Sequence, residues 1–81
     1  MKIFELPTQK IAIVQNVHHP SQQMQQRLYD LGIYPGGKVK LVLISPKDDP
    51  KAYEVRGTVI ALRNEDAQYI DVELGDETSG K

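Results

Sequence analysis

The chain contains no cysteine. Disulfide bridges, thiolate nucleophiles and thiolate metal sites are therefore excluded, and packing alone must hold the fold, as suits a reducing compartment. Long apolar runs are missing too: the longest, Ile11 to Val14 and Leu41 to Ile44, fall far short of the ~20 residues that span a bilayer. The first ten residues, MKIFELPTQK, lack the hydrophobic centre of a secretion signal, so a cytoplasmic location is expected. Net charge is nearly absent at −1, which leaves no overall field to attract a polyanion. Internal repeats are also absent.

What is present is an ordinary globular composition, 40 % hydrophobic and 26 % charged, in 81 residues. A chain of this size buries roughly 60 to 65 % of its unfolded surface, enough for one small core. One domain is expected over residues 1–75, with a flexible polar tail at 76–81. The charges are uneven. Lys38 to Arg63 holds six bases against three acids, whereas Asn64 to Lys81 holds six acids against one base.

Ile11 to Val17 is rich in β-branched residues and reads as a strand that ends at His18-His19-Pro20. A helix follows, opened by Pro20 at its first position or by Ser21 as its N-cap. Met24, Leu28 and Leu31 fall at helical spacing and form one apolar stripe. Gly32 is placed to close the helix in a left-handed conformation, with Ile33 returning to Leu28, and Pro35 forbids continuation.

After Gly37 the pattern alternates, so Val39, Leu41 and Leu43 are expected inward and Lys38 and Lys40 outward. Val42 and Ile44 would then also face out, either covered by other elements or forming a contact site. Further strands are expected near Lys51 to Gly57, over Thr58 to Leu62 and over Tyr69 to Leu74. Asn64 is expected to cap a helical turn before the last of these. About five short strands and one helix suggest a mainly β fold, a small closed barrel with the helix packed beside it.

Two motifs carry a family likeness: RLYDLGIYPG, Arg27 to Gly36, and EVRGTVIALRNEDA, Glu54 to Ala67. In that order and spacing the sequence resembles the FeoA family, the small cytoplasmic component of bacterial ferrous-iron uptake. The resemblance implies an SH3-like β-barrel and a regulatory or assembly role toward FeoB, a permease with a cytoplasmic G-protein domain. The start departs from the family pattern, having no glycine in the turn before the first strand.

Catalytic residues are not expected, since no nucleophile or matched acid and base stands out, and PGGK follows a helix instead of a strand and is no phosphate loop. No cofactor is assigned. His18 and His19 diverge as neighbours in an extended segment and lack metal-ligand spacing, so they read as surface loop residues. The residues expected to meet a partner, the cytoplasmic part of FeoB, are Met24, Leu28, Tyr34, Val42, Ile44, Arg56 and Arg63. For Arg56 and Arg63 the competing reading is a surface ion pair with Glu54 or Glu65. Two rival functions remain. Lys38, Lys40, Lys47, Lys51, Arg56 and Arg63 could track a nucleic acid, and the two histidines could sense a metal.

Overall fold

Alternating β-branched and polar residues build five strands in the computed structural model, which describes residues 1–75. The tail expected at 76–81 lies outside the described residues. The strands are β1 (Ile11–Val17), β2 (Lys38–Ile44), β3 (Lys51–Val55), β4 (Thr58–Leu62) and β5 (Ile70–Leu74). They form one antiparallel sheet in the order β4-β3-β2-β1-β5. The outer strands β4 and β5 do not pair, so the full closure expected from the sequence is not reached.

Two register shifts redirect side chains. In β1 the shift lies between Val14 and Asn16; it keeps Gln15 and Asn16 exposed and returns Val17 to the core beside Ala12 and Val14. In β2 it lies between Leu41 and Leu43, so Leu41 faces Tyr53 whereas Leu43 faces Ala52. Leu43, expected inward, is therefore on the outer face and 64 % exposed. Ile44, expected outward, is exposed, although it pairs with the buried Lys51 at the end of the sheet.

β3 and β4 are joined by Arg56-Gly57, with φ of 54° and 81°. Positive φ at both central residues makes a type I′ turn, whose twist matches that of the strands it links. The edge of β5 is covered by the start of the chain. The Val72 N–H donates to the Met1 carbonyl at 2.8 Å, the Met1 nitrogen donates to the Val72 carbonyl at 3.2 Å, and Lys2 Nζ lies 2.9 Å from Asp71 Oδ1. The far edge of β4 has no strand partner among the described residues.

The main helix, α1 (Gln22–Asp30), is closed at both ends by its own sequence. Ser21 is the N-cap, its Oγ accepting from the Met24 N–H at 3.2 Å, so Pro20 stands outside the helix. At the other end Gly32 has φ 104°; its N–H donates to the Tyr29 carbonyl at 3.0 Å, and the Ile33 N–H donates to the Leu28 carbonyl at 2.9 Å. These two bonds are the Schellman pattern, and both Leu28 and Ile33 are fully buried. Fully burying such a side chain contributes about 1.5–3 kcal/mol. Met24 packs partly against the same core, which also contains Ile3, Leu41, Tyr53 and Ile70.

A short helix, α2 (Asn64–Ala67), links β4 to β5. Asn64 lies inside it and is not its cap. The Asn64 N–H donates instead to Asp49 Oδ1 at 2.9 Å, and its side-chain amide donates to the Asp48 carbonyl at 3.0 Å. A carboxylate borrowed from the β2–β3 loop thus satisfies an amide at the positive end of the helix. No helix among the described residues is long and apolar enough to cross a membrane.

Candidate functional site

The joint between α1 and β2 is fixed by backbone bonds. Gly36 N–H donates to the Val14 carbonyl at 2.8 Å, Val14 N–H donates to the Gly37 carbonyl at 2.8 Å, and Gly37 N–H donates to the Tyr34 carbonyl at 2.8 Å. Positive φ at Gly36, 92°, permits the corner. Tyr34 is thereby held half-buried next to the exposed Tyr29, with ring centroids 6.3 Å apart. This is a stiff display of two amphipathic rings, the kind of surface that suits an interface.

The other expected contact residues do not converge on one spot. Met24 is half-buried and lines a shallow depression with Ser21, Gln23 and Arg27. Leu28 is 0 % exposed and belongs to the core, so it cannot meet a partner directly; its position on the helix points it into the sheet. Val42 is half-buried at the register shift, and Ile44 stands at the sheet end. Arg56 is in the β3–β4 turn, whereas Arg63 follows the opposite end of β4. Neither arginine meets a carboxylate within ion-pair distance among the described residues; Glu54 instead lies 3.5 Å from Lys40 Nζ.

Arg56 does contribute to an open groove of about 260 Å³ on the sheet. Ile11, Lys38, Lys40, Glu54, Arg56 and Gly57 line it, with Val39 beneath. The run of six bases in the sequence is otherwise dispersed. Lys51 is 7 % exposed, its amine donating to the Phe4 carbonyl at 2.7 Å and lying 3.6 Å from Asp48. Lys47 is in the exposed β2–β3 loop.

Besides Lys51, two further buried polar groups were not visible in the sequence. His19, expected on the surface, has a side chain only 9 % exposed. Its Nδ1 accepts from the Ser21 N–H at 3.0 Å, which places the ring proton on Nε2, 2.8 Å from Asp66 Oδ1. The ring stands edge-on to Tyr69, and Gln25 ties the same segment down by accepting from the His19 N–H and donating to the Val17 carbonyl, both at 2.7 Å. His18 is exposed. The second group is Tyr53, fully buried, whose phenol is pushed above its ordinary range by desolvation and then by the negative charges of Asp49 and Asp48. Among the described residues no three His, Asp or Glu side chains are grouped to hold a metal ion.

The sequence matches the family profile of the FeoA domain across residues 1–74. The chain belongs to the FeoA family. Three solved FeoA structures superpose closely on it. The iron(II) transport protein A of Clostridium thermocellum has 27 % identity and a TM-score of 0.84, covering 91 % of this chain, which spans 45 % of that one. FeoA of Chlorobium tepidum has 33 % identity and a TM-score of 0.84, with 95 % of this chain and 74 % of that one covered. Stenotrophomonas maltophilia FeoA, an SH3 domain protein solved with zinc, has 30 % identity and a TM-score of 0.78, with 90 % and 89 % covered. The fold is thus SH3-like, as the two motifs implied, and the FeoA family is associated with ferrous iron transport.

Proposed function

We propose that this FeoA-family chain is a cytoplasmic accessory protein of ferrous iron uptake that docks on the cytoplasmic G-protein region of the FeoB permease. The observation that carries this reading is the FeoA-domain match over nearly the whole described chain, residues 1–74. The surface supports a binding role without chemistry of its own. Tyr34 is presented by a backbone-pinned corner, Met24, Val42 and Ile44 add apolar contact, and Arg56 and Arg63 offer charge toward an acidic partner. Leu28 is buried in the core and contributes by fixing the helix, not by contact.

Pulldown and calorimetric titration of the purified chain against the isolated G domain and against full permease in membranes, each with and without nucleotide and Fe²⁺, test the reading. Saturable binding to either is the expected result. Absence of binding under every condition removes the proposal.

A further inference from the structure

The groove between the start of β1 and the β3–β4 turn carries a local charge opposite to that of the whole molecule. Three cations, Lys38, Lys40 and Arg56, face one carboxylate, Glu54, on a chain whose net charge is −1. Among the described residues Lys38 and Arg56 have no carboxylate within ion-pair distance, and Lys40 has only the 3.5 Å contact with Glu54. Ile11 supplies an apolar wall, and Gly57 leaves the turn end without a side chain. The aliphatic stem of Arg56 rests over Gly32.

We propose that this groove is a docking site for an extended acidic segment of a partner protein, with its carboxylates on Lys38 and Arg56 and a small apolar side chain against Ile11. Charge complementarity selects this occupant. Single-stranded nucleic acid fits less well, because no aromatic side chain lines the groove to stack a base. The proposal rests on the function proposed above only for the identity of the protein that carries the segment; the chemistry of the groove stands apart from it.

The test is an amide NMR titration of the full chain with an acetylated Glu-Ala-Glu-Leu-Glu-Ala peptide, its glutamine counterpart and an oligouridine, at about 50 mM and about 300 mM salt. The acidic peptide is expected to shift the amides of Lys38, Lys40, Arg56 and Gly57 at low salt. K38E/R56E, which changes two exposed side chains, is expected to keep the folded spectrum and bind roughly tenfold more weakly. K47E, in the exposed loop away from the groove, is expected to bind as wild type.

No shifts in the groove, or equal shifts with the glutamine peptide, overturn the proposal. Tighter binding of oligouridine overturns it in favour of a nucleic acid. If D76N/E77Q moves the same amides with no peptide added, the occupant is the chain's own acidic tail and not a partner. A permease arm separates the two proposals: wild type and K38E/R56E binding FeoB equally well defeats the groove alone, whereas peptide binding without any permease binding defeats the FeoB reading alone.

Discussion

Gly32 lies under the side chain of Arg56: a Cβ on the glycine would stand 2.8 Å from Arg56 Cδ and 2.8 Å from Val55 Cγ1. Its φ of 104° is moreover one that L side chains rarely adopt. The helix cap and the β3–β4 turn therefore meet at a point that tolerates no methyl group. The arginine stem can yield, but Val55 is buried in the core. Gly32→Ala is expected to lower stability by about 2 kcal/mol or more, measured as a shift in the midpoint of denaturant unfolding at constant slope. An unchanged midpoint would show that the cap and turn are not in contact.

Ser21 caps α1 through one side-chain bond, so Ser21→Ala should cost about 1 kcal/mol. Ser21→Asp should retain most of the stability, because its carboxylate can accept the same Met24 N–H at the positive helix end. Thermal melts of the two variants distinguish loss of the cap from loss of packing.

Lys51 spans the space between the sheet and a short 3-10 turn at Ile3–Glu5, its amine on the Phe4 carbonyl and 5.7 Å from the Phe4 ring centre. Lys51→Met preserves most of the volume but leaves that carbonyl without its donor, a loss of about 1–3 kcal/mol. Asp48→Asn removes only the weaker, exposed end of the contact, 71 % accessible on the Asp48 side, and should cost less than about 1 kcal/mol. Chemical denaturation of both variants should preserve this order.

Tyr53 contributes to the alkaline limit. Because burial, aided by Asp49 and Asp48, raises its pKa in the folded state, the native protein keeps the phenolic proton where the unfolded chain has released it. Stability from this source is complete below about pH 10 and falls as pH rises beyond it, by up to about 1.4 kcal/mol per pH unit. Tyr53→Phe should abolish that slope. It should also be neutral or stabilising by about 1 kcal/mol near neutrality, since the buried hydroxyl has no protein hydrogen-bond partner among the described residues. Urea titrations on both sides of the tyrosine range test both expectations.

The parts legible in the sequence are those whose causes are local. Ser21, Gly32 and Pro35 lie within or next to α1, and the Met24–Leu28 spacing marks its buried face, so helix, cap and corner follow from neighbouring residues. The bulge in β2 was not legible, because KVKLVLI alternates without a break and only pairing with β3 shows where the register slips. His19 and Lys51 each find their partner 47 residues away, and Asn64 takes its cap from Asp49, 15 residues away. Residue type alone assigned the histidine and lysine to solvent and the asparagine to a cap. At the site, the motif residues Tyr34 and Arg56 did reach the surface. Leu28 did not, since an apolar stripe on a lone helix is more readily spent on the core.

Propagating a filament by strand addition requires every subunit to offer two complementary templates. Here Met1 and Lys2 already occupy the middle of the β5 side, whereas β4 has no strand along its outer border among the described residues. Self-recognition through the backbone would therefore favour a two-molecule pair joined through β4 over continued stacking.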